Sequence, residues 1–360
     1  MGHLDIVVKS ILENLGQEVI VPPPTSRKTL SLGVRHSPEF ACLPFKVNLG
    51  NFIEALEKGA DTLLMVGDSG KGSCRLGFYA RIHQIILREL GYDFRMVTLS
   101  NRAGGEFVGG LADLGQDKSR KEIISAFWLG WRKMRLCEQT ERRSHRIRPY
   151  EVSRGETTRV YRQVIKMIDG AENISQLREG RREGRVLFGQ VEGDRRDRRP
   201  LRIAVTGEIY VVWEPFVNLN IETKLGEMGV EVERCLWLSE NILHRIHLDF
   251  CNWRSKSRAL KAAAPYLGYD VGAECNVSVG NTVTTKRRGY DGLIHLMPFT
   301  CMPEIVAQSI LPKVSRHYDM PVLTFILDEH TGEAGMVTRL EAFVDLLRRR
   351  REKKKRRVIN

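Results

Sequence analysis

Apolar positions along the chain follow two rhythms. Ile6, Val7, Ile11, Leu12 and Leu15 recur at helical spacing between Asp5 and Leu15, and Gly16 ends the run. Glu18 to Val21 reads as a short strand closed by Pro22, Pro23 and Pro24. A helix is expected from about Lys46, after a loop holding Cys42. Asp61 to Val66 then reads as a buried strand, Gly67 to Gly72 as a glycine-rich turn, Leu76 to Leu90 as an amphipathic helix and Phe94 to Leu99 as another strand. Strand and helix alternating at this spacing predict a parallel, wound sheet.

From Gly105 the rhythm changes. Ala112 to Glu141 and Thr157 to Leu177 are helical in period, so residues 105–200 are expected to form a mostly helical insert with Arg181 to Pro200 as its exposed exit. A second α/β unit, residues 201–347, begins with the strand Leu201 to Thr206 and a helix opening at Glu214 to Asn218. Its later strands are Val230 to Arg234, Leu293 to Leu296 and Val322 to Leu327. Helices around Ser255 to Leu267, Val277 to Arg288, Glu304 to His317 and Val337 to Arg350 fill the gaps, and residues 348–360 form a basic tail.

Composition changes this picture little. The chain has 360 residues, 42% hydrophobic and 28% charged, enough for two ordinary cores. No apolar run or signal pattern points to a membrane or to export, so a cytoplasmic protein is expected. Seven scattered cysteines do not resemble a secreted disulfide framework. The net charge of +13 is local: Arg348 to Arg357 contributes +8 and Arg178 to Arg202 contributes +4. Such runs are expected as solvated surface, and no aromatic-interleaved motif supports nucleic-acid binding. Attachment of RNA or DNA through the tail is the weakest of the readings kept.

The candidate chemistry lies in the cysteines. GDSGKGS, from Gly67 to Ser73, fails the phosphate-loop pattern G-x-x-x-x-G-K-S/T, because Gly72 follows Lys71 and Met65 stands where the first glycine belongs. No ATP site is therefore expected. His83, His244, His247 and His295 sit in helical or strand contexts without a local triad signature. Cys137, Cys235 and Cys251 fall in periodic or apolar segments and read as packed thiols. Cys42, Cys74 and Cys301 each lie in a turn-forming loop directly ahead of a helix, and the last two closely follow strands. That is where open α/β sheets place ligands and where a helix dipole favours thiolate. Three converging thiolates suit an iron–sulfur cluster with one open iron, or zinc with an open position, while packing remains the plain alternative. Cys275 also precedes a helix.

Several motifs resemble those of the 2-hydroxyacyl-CoA dehydratase subunit family, and most closely its activase-related branch. They are SPEFACLPFKVNLGNFIEALEKGADTLLMVG, CRLGFYARIHQIILRELGYDF, GEIYVVWEPFVN, MPFTCMPEIVAQSILP and DEHTGEAGMVTRLEAFVDLL, spread over about residues 3–347. The resemblance implies two Rossmann-like parallel-sheet domains joined by helices, with an oxygen-sensitive 4Fe–4S cluster between them. The family's cluster cysteines fall on Cys42, Cys74 and Cys301. A double-cubane sister group would need further thiols, such as Cys275. The resemblance also implies electrons delivered by a separate ATP-hydrolysing activator, and either a second dehydratase-like subunit or a homodimer. The activity would be that of a lyase component dehydrating a 2-hydroxyacyl-CoA through a ketyl radical, or of a low-potential reductase. The family opens with a β-strand, whereas this chain starts at the helix.

The residues around the cysteines fit this picture in several ways. Lys46 and Arg75 are placed to offset cluster charge or bind an anionic substrate, or else are surface cations. Glu304, Glu329, His330 and Glu333 are candidate proton donors or gate residues, or else helix caps. A non-catalytic scaffold or regulatory partner that has kept the fold is the competing reading.

Overall fold

The computed structural model describes residues 2–67, 74–100, 115, 118–191, 193, 199–245 and 253–359. The chain opens with α1 (Leu4–Asn14), α2 (Arg27–His36) and α3 (Leu43–Glu57). The segment Glu18 to Val21, expected as a strand, is irregular and pairs with no strand among the described residues. The three prolines that follow it donate no backbone hydrogen bond. α3 begins at Leu43, ahead of the expected Lys46, because Cys42 is extended at the N-cap and Pro44 fits the first turn.

β1 (Thr62–Gly67), α4 (Leu76–Glu89) and β2 (Arg95–Ser100) follow, and the two strands pair in parallel with Thr62 opposite Arg95. GDSGKGS beyond Gly67 lies outside the described residues. Phe45, Leu49 and Ile53 of α3 share a core with Leu63 and Met65 of β1 and Tyr79 and Leu87 of α4. Leu43 and Val47 belong instead to the core of the second sheet. α3 is therefore common to both units. α2 crosses it at backbone contact: a Cβ on Gly33 would sit 1.7 Å from the Lys46 carbonyl oxygen, and one on Gly50 1.9 Å from that of Thr29. Only glycine permits that approach.

The helical segment contains α5 (Arg120–Ile147), α6 (Glu156–Gly170) and α7 (Ile174–Gln190). Ser119 and Glu122 start α5 with a reciprocal capping box. The expected continuous helical stretch Thr157 to Leu177 is broken at Ala171, and Asn173 caps α7 by accepting the Ser175 and Gln176 N–H groups. Arg181 to Gln190, expected as part of an exposed exit, is thus helical, with Gly184 and Phe188 buried. α1 packs against α5, and its Ile6 shares a core with Leu129, Leu136, Val160 and Phe188.

The second sheet contains β3 (Leu201–Gly207), β4 (Val230–Arg234), β5 (Gly292–Pro298) and β6 (Val322–Leu327). All pairs are parallel, in the order β4-β3-β5-β6. α8 (Ile209–Trp213) and α9 (Ile221–Glu227) separate β3 from β4. α10 (Leu238–Arg245), α11 (Trp253–Ala263) and α12 (Cys275–Arg287) lie between β4 and β5. α13 (Met302–Tyr318) joins β5 to β6, and α14 (Glu333–Ile359) ends the chain. The helix expected to open at Glu214 is already over there, because Glu208 caps α8 and Glu214 is the extended residue that follows it. The tail is the continuation of α14.

β5 is buried along its whole length, as suits a central parallel strand whose apolar run is nearly continuous. The architecture is α/β, with parallel sheets of two and four strands among the described residues and a helical segment between them. No helix among the described residues is long and apolar enough to cross a membrane. In the larger sheet the chain leaves β3 toward β4 and leaves β5 toward β6, in opposite directions. The switch point, and with it the expected ligand crevice, falls at the carboxyl ends of β3 and β5. Those ends carry Glu208 and Cys301.

Candidate functional site

Gly207 closes β3 with φ of +142°, and a Cβ there would lie 1.8 Å from the Leu296 carbonyl oxygen of β5. The neighbouring Glu208 N–H donates to that same oxygen at 2.9 Å. The Glu208 carboxylate accepts the Val211 N–H at 3.0 Å. Burial pushes its pKa up to about 7 against the two N–H groups of Tyr210 and Val211, and the carboxylates of Glu304 and Glu274 push it further the same way.

Beyond β5 the chain turns sharply. The Phe299 N–H donates to Leu327 at 2.8 Å and the Cys301 N–H to Pro298 at 3.1 Å. Thr300 between them has φ of +67°, which is strained for a β-branched residue. Arg75 straps this turn to the first unit, donating to the Thr300 carbonyl at 2.6 Å, to its hydroxyl at 3.1 Å and to the Phe40 carbonyl at 3.2 Å. The Thr300 hydroxyl donates to Phe40 as well, at 3.2 Å. The segments leading into Cys42 and Cys301 are therefore tied to each other, and Arg75 itself follows Cys74.

The three thiols share one local design. Cys42 and Cys301 are the N-cap residues of α3 and α13, and Cys74 lies just ahead of α4. The backbone amides of Phe45, Leu76 and Glu304 favour the thiolates of Cys42, Cys74 and Cys301 respectively, although neither Cys42 nor Cys301 caps its helix through a sulfur hydrogen bond. Burial nevertheless raises all three thiol pKa values, that of Cys42 to about 11, and the Glu208 carboxylate adds to the rise at each. The Glu208 carboxylate acts on all three thiols, and Cys42 acts on Cys301, so the three lie in one region of the molecule. Cys42 is buried with its sulfur 2.6 Å from the Tyr79 hydroxyl, Cys301 is half-buried and Cys74 is exposed. Tyr79 packs edge-on against Phe45, which stacks on His83 at 4.1 Å. Burial holds His83 near a pKa of 4, so this histidine is neutral packing under the Cys42 loop.

Glu304, one turn after Cys301, is buried, and its Oε2 lies 2.7 Å from His295 Nε2 on β5. Its Oε1 is buried without a hydrogen-bond partner among the described residues. Lys46 is buried rather than a surface cation, and it pairs with Glu329 at 2.5 Å, so α3 holds the loop after β6. The rest of the DEHTGE loop turns elsewhere. Asp328 accepts the His330 N–H in a local turn, and the exposed Glu333 pairs with Lys224 at 2.8 Å. Cys275 is fully buried as the first residue of α12 against α13, with its pKa raised by burial to about 12. Cys137 is buried in the helical core, Cys235 is half-buried, and Cys251 lies outside the described residues.

Cys42, Cys74, Cys301, Arg75, Glu304, Lys46 and Glu329 are thus gathered at the junction of the two units. Glu208, His295 and Tyr79 complete the group and were not singled out from sequence for it. Glu208 carried one signal, its place directly after a buried strand. Among the described residues no three His, Cys, Asp or Glu side chains are grouped tightly enough to hold a single metal ion. No protein-family model matches the chain, and no curated protein matches it significantly.

Proposed function

We propose that the chain is an iron–sulfur electron-transfer or reductase protein of the 2-hydroxyacyl-CoA dehydratase type, with Cys42, Cys74 and Cys301 as cluster ligands between two Rossmann-like units. The observation that supports the reading is the nearness of the three thiols, each raised by the Glu208 carboxylate, with the Cys301 turn tied through Arg75 and Thr300 to the segment that leads into Cys42. The donor set fits the group: thiolates are the usual protein ligands of such clusters. When bound, a 4Fe–4S cluster would supply one-electron transfer at low potential.

The chain's own residues would supply the surroundings. Arg75 and Thr300 hold the Cys301 turn against the segment that leads into Cys42. Tyr79 and Phe45 close the inner side of Cys42 against solvent. Glu208, with a pKa near neutrality, can hold or release a proton at its carboxylate beside the thiols. Glu304, hydrogen-bonded to His295 on one oxygen, keeps the other directed into the interior. Electrons would come from a separate ATP-hydrolysing activator, and the substrate class would be a 2-hydroxyacyl-CoA thioester or another small molecule reduced at low potential.

The test is anaerobic purification of the full chain, followed by iron and sulfide analysis and a visible spectrum. About four irons and a brown charge-transfer band, both lost in a variant with Cys42, Cys74 and Cys301 changed to serine, are expected. A colourless, iron-free protein after anaerobic reconstitution would sink the reading and favour the scaffold alternative.

A further inference from the structure

At the opposite end of the larger sheet, where β5 and β6 begin, the surface opens into a groove of about 570 Å³. Lys286 at the end of α12 and Arg350, Arg351, Lys354 and Lys355 on α14 line it, with Pro321 and Leu347 among its apolar surfaces. The cations come from two elements more than sixty residues apart, so the basic sequence at the tail does not by itself account for the groove. It is the fold that brings Lys286 under α14.

The negative groups facing these five cations are few. Asp319 takes both Arg350 and Lys354, and its carbonyl accepts Lys286 at 2.7 Å. Asp291 takes Arg351 at 2.5 Å. α12 and α13 also end here, and a helix C-terminus carries about half a negative charge. Two carboxylates and two helix ends amount to about three negative charges against five positive ones. Burial lowers the Lys286 pKa, and the like charges of Lys354 and Arg350 lower it further against the opposing pull of Asp319 and Asp291. Arg349 and Lys353, exposed on the same helix, add two positive charges to the field, and the exposed Glu352 takes away one.

A surplus of cations around a concave, partly apolar site of this size fits a compact multivalent anion. Ligand pockets typically span about 300–1,000 Å³, which covers a nucleotide. A guanidinium and ammonium cluster is the usual recognition chemistry for phosphate. We propose that this groove binds a polyphosphate chain, presented either by a nucleoside triphosphate or by an inorganic polyphosphate. The site is separate from the thiols and stands whether or not they carry a cluster. A nucleic-acid strand is the less favoured occupant, because the cations converge on one groove rather than tracking along a surface.

Inorganic triphosphate, ATP and a single-stranded oligonucleotide are titrated into the full-length protein by calorimetry at 50 mM and 300 mM salt. Point variants are used in place of a truncation, since Arg351 also binds the Arg199 and Pro200 carbonyls and removing it would disturb the start of β3. Saturable binding of triphosphate at low salt, weakened at least tenfold in the Lys286→Met, Lys355→Met double variant and by the higher salt, is expected. Equal affinity for ATP assigns recognition to the phosphate chain alone. Tighter ATP binding places the nucleoside in the groove too. Absence of triphosphate and ATP binding, affinity unchanged in a double variant of wild-type thermal stability, or oligonucleotide affinity that rises with length and exceeds both would overturn the proposal. Should the double variant fail to fold, loss of one-to-one stoichiometry for triphosphate with the wild-type chain would overturn it equally.

Discussion

Two groups of buried charge sit about the larger sheet and are built on opposite terms. At β4, Arg234 is buried between two carboxylates, with Nε 2.8 Å from Glu222 and an Nη 3.0 Å from Glu141. Its guanidinium lies 4.8 Å from the centre of the Trp237 ring, and His145 approaches Glu222 at 3.5 Å. Burial alone would raise the Glu222 pKa, yet Arg234 and His145 pull it below the ordinary range. At the carboxyl ends of β3 and β5, Glu208 stands near Glu304 and Glu274, and its pKa rises. The first group is matched and joins α5 to the sheet. The second is acidic, beside three thiols, in the crevice the topology creates. Buried groups held by opposite charges are what structure requires, whereas carboxylates crowded together in a cleft, with a raised pKa among them, are candidates for chemistry.

The most damaging way to break the comparison is at its matched side. Arg234→Met leaves Glu141 and Glu222 buried without their cation, and removing one partner of such a group costs about 3–5 kcal/mol. Urea denaturation should show a loss of that size. A loss below about 1 kcal/mol would mean that the carboxylates find water or each other's protons easily, and that the two groups differ less than their geometry says.

The two sides should also respond to pH with opposite sign. Glu208 titrates near 7 when folded and at its ordinary value of 4.5 when unfolded. The cost of its charge is absent below pH 4.5, grows as the pH rises, and is complete above 7. At about 1.4 kcal/mol per unit it reaches about 3 kcal/mol. In the metal-free protein Glu208→Gln should therefore gain on the wild type between pH 4.5 and 8, measured by urea midpoints. Parallel curves for the two proteins would remove Glu208 from the list of strained groups. Glu222, depressed on folding, gives the reverse: its contribution is present above its ordinary value and is lost as the pH falls through the folded one. Glu222→Gln should accordingly show a shallower acid-side slope than the wild type, and an unchanged slope would contradict the depressed pKa.

Much of the frame was legible because it rests on local pattern. LRIAVT, GLIHLMP and VLTFIL are apolar runs of strand length between turn residues, and each is a strand of the larger sheet. The errors came where tertiary contacts decide. Glu18 to Val21 has strand-like residues but no neighbour to pair with among those described. The helix expected to open at Glu214 forms earlier, over IYVVW, because Glu208 caps it and all of its side chains but Ile209 are buried. The cysteine loops could be picked out by their turn residues and by their place before helices. Glu208 could not be told from an ordinary helix cap, since its high pKa depends on burial and on Glu304 and Glu274, far along the chain. Arg234, Glu141 and Glu222 likewise meet only through the packing of α5 and α9 against β4.

The smallest expected change in stability separates packing from positioning on the acidic side. Arg75 is exposed, and its bonds to Thr300 and Phe40 end on neutral carbonyl and hydroxyl groups, so Arg75→Ala should cost no more than about 1 kcal/mol. Its effect on the thiols should be larger than that figure implies. Thr300 is held at φ of +67°, a conformation that costs about 1–3 kcal/mol and persists only while its surroundings impose it. With the strap removed, the turn can relax and carry the adjacent Cys301 away from the Cys42 side. Site-resolved alkylation of the metal-free protein should show Cys301 modified severalfold faster in Arg75→Ala, while Cys137, in the helical core, is unchanged. If the Cys301 rate stays at the wild-type value, the strap does not position the thiol. The acidic corner would then owe its geometry to α13 and to the His295–Glu304 pair alone.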